Sequence, residues 1–126
     1  MLFLDTSALV ASLSGERTRW QMLRLLLERR EQLRISAPVL YEWRRGDRSA
    51  EELRAQHDLF PDASAVPFTH REAFLSAELY SSLPRARARA MDFAIAACAI
   101  SHEARLWTLN RDDFADIPGL DLLDLV

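Results

Sequence analysis

An apolar run, Leu2-Phe3-Leu4, ends abruptly in a carboxylate, Asp5, and two hydroxyls, Thr6 and Ser7, follow before apolar helix formers resume at Ala8. A run this short and this sharply bounded reads as a buried strand that delivers an acid at its carboxyl end. In open α/β sheets ligands gather beyond the carboxyl ends of parallel strands. There side chains leave the packed interior, and the next helix opens with unpaired N–H groups. Asp5 belongs at that rim. One carboxylate holds a metal ion weakly and several converging ones hold it well, so other acids must reach the same place for the site to matter.

The rest of the chain alternates strand-like and helical segments. Ser7 to Leu13 suits a short helix that Gly15 interrupts, and from Glu16 to Leu33 apolar residues at Trp20, Leu23, Leu26, Leu27 and Leu33 form one helical stripe, with Trp20 expected in the core. Ile35 to Ala37 reads as a short strand. Pro38 fits the first turn of a helix carrying Val39, Leu40 and Trp43 to a stop near Gly46, with Glu42 about one turn in. Ser49 with Glu52, and Thr69 with Glu72, are capping boxes opening helices that run to about Leu59 and about Ser82. Ala63 to Phe68 reads as a third strand and Leu83 to Arg89 as an exposed loop or helix lead-in, basic on alternate residues. Ala90 to about Glu103 is a helix of small residues with Asp92 near its start, Arg105 to Leu109 a fourth strand, and Leu120 to Leu125 a fifth. This alternation predicts an α/β fold with a central parallel sheet of about five strands flanked by helices.

Composition narrows the chemistry. All 16 basic residues are arginine, which removes every mechanism that needs a lysine, including P-loop phosphate binding and Schiff bases. With only 3 glycines there is no Gly-rich dinucleotide loop. Residues 1–57 carry ten Arg against eight acids and residues 58–126 six against eleven, or +2 and −5, giving the net charge of −3. Such a chain feels no general pull towards nucleic acid, so binding there must use local arginines or bound cations. At 126 residues it fits one domain, 1–126, able to bury roughly 68% of its unfolded surface. The lone Cys98, among Ala and Ile, suits the core. Met1 to Leu4 shows no basic leader and no apolar stretch of signal-peptide length, which predicts a cytoplasmic protein without membrane contact.

Acids recur at comparable places: Asp5 after the first strand, Glu42 and Asp92 early in helices, and Asp112 or Asp113 after the fourth strand. Taken singly, each is explained by the helix dipole, worth about 0.3–1 kcal/mol. As a set they imply more. Two carboxylates about 4 Å apart repel by roughly 4 kcal/mol at an effective dielectric near 20, so a cluster needs a proton or a cation to be tolerated.

Four blocks carry a family resemblance: Leu4-Asp5-Thr6-Ser7-Ala8-Leu9, Ser36-Ala37-Pro38-Val39-Leu40-Tyr41-Glu42, Asp92-Phe93-Ala94-Ile95-Ala96-Ala97, and Thr108-Leu109-Asn110-Arg111-Asp112-Asp113-Phe114. In order, and over nearly the whole chain, they resemble the four signature blocks of PIN domains, and the length is similar to that of VapC-type toxins from bacterial toxin–antitoxin pairs. The resemblance implies a Mg²⁺- or Mn²⁺-dependent endoribonuclease, the toxin of a type II system, with RNA as substrate, a small cognate antitoxin as partner and a homodimer as assembly. Asp5, Glu42 and Asp92 match the family's three principal acids. The fourth place is carried to Asp113, with Asp112 and Asn110 as alternatives, since some members place an acid where Asn110 stands. Thr6 and Ser7 match hydroxyls that support the first aspartate, and Thr108 and Asn110 join them as supporting polar groups.

Arg44 and Arg45, near Glu42, and Arg85, Arg87 and Arg89, before Asp92, are candidate contacts to RNA phosphates, with plain solvated surface as the alternative. His57, His70 and His102 lack metal-ligand spacing and suit surface or capping roles. A rival from another class is a PIN-fold module that binds RNA or a protein without cutting. A phosphatase of the haloacid dehalogenase type needs an acid two residues after its nucleophile, where Ser7 stands.

Overall fold

In the computed structural model, which describes residues 1–15 and 17–124, the opening apolar run is strand β1 (Leu2–Leu4), and all three of its side chains are buried. Parallel neighbours flank it, β2 (Leu33–Arg34) on one side and β3 (Arg105–Trp107) on the other, and β4 (Asp121–Leu122) extends the sheet in the order β2-β1-β3-β4. A strand covered on both faces needs a continuous apolar run rather than alternation, which is what Leu2-Phe3-Leu4 supplies.

The sheet has four strands among the described residues, against the expected five or so. The segment read as a third strand, Ala63 to Phe68, contributes a 3-10 turn (Asp62–Ser64) and one parallel bridge, Ser36 to Val66. Val66 donates to the Ile35 carbonyl and accepts from Ala37, but Pro67 has no N–H with which to prolong the ladder. Ile35 to Ala37 likewise follows β2 instead of forming it. Leu125, the end of the expected last strand, and Glu16 lie outside the described residues.

Among the described residues six helices flank the sheet: α1 (Thr6–Leu13), α2 (Arg17–Glu28), α3 (Ala37–Arg45), α4 (Ala50–Leu59), α5 (His70–Ser82) and α6 (Ala90–Ser101). Both capping boxes are formed, Ser49 with Glu52 at α4 and Thr69 with Glu72 at α5. Helix α6 buries Phe93, Ile95, Ala96, Ala97, Cys98 and Ala99, so it is enclosed nearly all round, between α5, α3 and β3. Its small side chains permit that close approach. Glu72 joins the two helices, accepting a hydrogen bond from Ser101 at 2.7 Å. Burial pushes the Cys98 thiol up to about 12, which makes it an inert core residue.

Trp107 is in the core, but Trp20, expected there, is 41% exposed. Helix α2 packs on α1, outside the sheet, and buries only Leu23 and Leu26, while Trp20 borders a shallow recess with Leu13, Arg17 and Ala55. A helical stripe identifies a shared face without saying how deep the layer beneath it extends. Among the described residues no helix is long and apolar enough to cross a membrane.

Candidate functional site

The register of β1 and β3 pairs Leu4 with Trp107, so the residues that follow, Asp5 and Thr108, leave the sheet side by side. Asp5 stands at the start of α1, yet its side chain caps nothing. It is 3% exposed, and its Oδ2 accepts hydrogen bonds from Ser7 Oγ and Thr108 Oγ1, both at 2.7 Å. Those hydroxyls are oriented in turn: Ser7 accepts from the Leu109 amide and Thr108 from the Asn110 amide, each at 3.0 Å. Both hydroxyls act on the one oxygen, so neither engages Oδ1. A buried carboxylate held this way keeps a fixed direction.

Glu42 comes to the same place from α3. Thr6 donates to its Oε1 at 2.6 Å and Arg45 to its Oε2 at 3.2 Å. Asp92 arrives in the first turn of α6, half-buried. Asp5, Glu42 and Asp92 line one cavity of about 380 Å³ with Thr6, Ser7 and Asn110. The carboxyl of Asp92 is pushed up to about 6, first by burial and then by the negative charges of Asp5, Asp113 and Glu42, with Arg89 opposing. Mutual repulsion among acids distant in sequence is the electrostatic mark of their convergence.

The fourth position is divided. Asn110 lines the cavity itself, whereas Asp113, in the 3-10 turn Arg111–Asp113, lines an adjoining recess with Asp112 and reaches Asp92 through its charge. Among the described residues no three acidic, histidine or cysteine side chains close into a ready-made metal cage. The oxygens of Glu42 are occupied by Thr6 and Arg45. The donor set is all oxygen and strongly anionic, which suits a hard cation that keeps several waters and takes one or two carboxylates directly.

Arg44, Arg45, Arg85 and Arg87 are exposed. Arg45 also lies over the Tyr41 ring at 5.2 Å. Arg89 differs from the expected phosphate contact: it is 4% exposed, forked onto Asp116 and stacked on Phe93 at 4.9 Å, and so is closed to a polymer. Its partner Asp116 carries no local signal in the sequence. His57, His70 and His102 are exposed, and His102 shares a hydrogen bond with the Cys98 carbonyl at 3.0 Å.

Fold and site together define an α/β protein with an acid-lined cavity at the carboxyl ends of two central parallel strands. The chain belongs to the PIN domain family, whose model matches residues 2–120. Its structure resembles a chain of VapBC2 from Rickettsia felis bound to a DNA fragment from their promoter, at 25% identity, 100% coverage of both chains and a TM-score of 0.74. It is similarly close to a chain of a toxin–antitoxin complex from Klebsiella pneumoniae, at 28% identity, 95% coverage of each and a TM-score of 0.74. DNA-bound VapBC from Salmonella typhimurium, at 20% identity, 98% and 96% coverage and a TM-score of 0.75, shares the fold. Among curated proteins none matches the chain.

Proposed function

We propose that this PIN domain protein is the toxin of a toxin–antitoxin pair and a metal-dependent endoribonuclease. The observation that carries the reading is the meeting of Asp5, Glu42 and Asp92 in one cavity. Asp5 and Asp92 would hold the ion, directly or through water, with Glu42 and Asp113 completing the site. Bound there, Mg²⁺ or Mn²⁺ would supply Lewis acidity towards water and the scissile phosphate.

The chain's own residues do the rest. Ser7 and Thr108 fix the direction of Asp5, and Thr6 holds Glu42 where its carboxylate can take a proton from an attacking water. Arg44, Arg45, Arg85 and Arg87 contact the RNA backbone, so affinity falls as salt rises. Arg45 leaves Glu42 for a phosphate when RNA arrives. The named toxin–antitoxin neighbours support a small antitoxin as inhibitory partner, and we include a homodimer in the same proposal, read out by sedimentation.

Incubation of single-stranded RNA with purified protein and Mg²⁺ tests the reading. The expected products carry a 5′ phosphate and a 3′ hydroxyl, and Asp5→Asn and Asp92→Asn abolish them. A 2′,3′-cyclic phosphate would refute water attack. The second reading, a non-catalytic module for RNA or protein binding, draws on Asn110 standing on the cavity wall in place of an acid. It requires RNA or partner binding with no cleavage under saturating metal.

A further inference from the structure

We propose that Arg89 is a positioning residue for this site: clamped by Asp116, it sets the separation of the Asp92 helix from the Asp113 turn. The inference rests on the nuclease reading above. Arg89 is the residue before α6, and its carbonyl accepts the first helical hydrogen bond, from Phe93 at 2.9 Å. Its side chain reaches into the segment after β3. Nη1 donates to Asp116 Oδ2 at 3.0 Å and to the Pro84 carbonyl at 3.2 Å; Nη2 donates to Asp116 Oδ1 at 2.5 Å and to the Asp113 carbonyl at 3.0 Å. The guanidinium plane also covers Phe93 on α6 at 4.9 Å.

One buried side chain thus ties together the 84–89 loop, the first turn of α6 and the turn that carries Asp113. What it avoids matters as much. None of those four hydrogen bonds goes to the carboxylate of Asp92 or Asp113, although both charges act on Arg89. A positive charge beside two acids that it does not occupy lowers their repulsion and leaves their oxygens available for a cation. The planar fork is essential, because an ammonium cannot hold a bidentate carboxylate and two carbonyls from one plane. The Asp116 side chain is 45% exposed, so it can be altered with little disturbance of the core.

The experiment compares wild type with Asp116→Asn and Arg89→Lys by calorimetric titration with Mn²⁺, Mg²⁺-dependence of cleavage, and amide hydrogen exchange. In Asp116→Asn the metal dissociation constant should rise about tenfold or more, as for other partners behind the ligands. Activity should recover substantially at saturating metal, and exchange should quicken together in residues 84–89 and 110–116. Arg89→Lys should behave in the same direction despite its retained charge. Unchanged metal affinity in both variants, with only the melting temperature lowered, reduces the clamp to a structural brace and overturns the inference while leaving the nuclease reading in place. A wild-type protein that binds neither Mn²⁺ nor Mg²⁺ overturns both.

Discussion

Thr108 Oγ1 donates to Asp5 Oδ2 at 2.7 Å, joining residues 103 positions apart. The contact follows from the sheet: β1 and β3 are parallel neighbours, the Asp5 amide donates to the Trp107 carbonyl at 2.9 Å, and the two chains leave the sheet together. Thr108 Oγ1 also accepts from the Asn110 amide, so one hydroxyl aims the acid and shapes the turn leading to Asp113.

Replacing that hydroxyl by a methyl therefore acts on stability and site together. Thr108→Val should destabilise by about 1.5–3 kcal/mol, the range for hydrogen bonds to charged groups. Metal affinity should fall by roughly 10- to 100-fold. Urea unfolding and calorimetric titration measure the two effects, and Thr108→Ser should restore most of both. Wild-type metal affinity in Thr108→Val would show that Asp5 needs no such support.

The raised carboxyl of Asp92, at about 6 against an ordinary 3.8, gives the metal-free protein a distinctive pH profile. Between those values the folded protein holds a proton that the unfolded chain has released. Its contribution is full below about pH 4, declines as pH rises to about 6, and stays flat above. Allowing for solvent screening at this half-buried group, the loss is about 1–2 kcal/mol. Asp92→Asn should lack this decline and be more stable than wild type at pH 7 without metal. Saturating Mg²⁺ should stabilise wild type, by about 2.7 kcal/mol at a hundredfold over its dissociation constant. Parallel pH profiles for Asp92→Asn and wild type would mean that neither burial nor the neighbouring acids raise the Asp92 carboxyl.

Glu72 titrates in the opposite sense. Burial alone would raise its carboxyl, but hydrogen bonds from the Thr69 side chain and backbone and from Ser101, with the charge of His102, hold it at about 2. Its stabilisation is complete above about pH 4.5 and is lost as pH falls towards about 2. Glu72→Gln should cost about 1.5–3 kcal/mol at neutral pH and flatten the acid limb of the stability curve. Urea midpoints from pH 2 to 6 read this out, and an unchanged acid limb would remove Glu72 from the account.

Sequence legibility follows the range of the interactions. Asp5 at a strand end, Pro38 in a first turn and the Ser49–Glu52 and Thr69–Glu72 boxes are local patterns, and each forms where its neighbours place it. Ala63 to Phe68 has the composition of a strand, but Pro67 limits it to one bridge, a matter of a single missing donor. Trp20 shares its helix face with Leu23, yet no pattern says that α2 lies outermost. Arg85, Arg87 and Arg89 look alike in a basic loop. Only Arg89 meets Asp116, 27 positions on, and is drawn inside, which is a tertiary fact without a local signature. The hydroxyls that hold Asp5 come from its own loop and from the far end of the chain, so half of its support was readable beside it.

The most direct measurement of the proposed ion site is anomalous diffraction from crystals soaked in Mn²⁺. The expected map has its strongest peak in the cavity between the carboxylates of Asp5 and Asp92, and that peak is absent from Asp92→Asn crystals. A cavity without anomalous signal at saturating Mn²⁺ would contradict the central claim that these acids converge to hold a divalent cation.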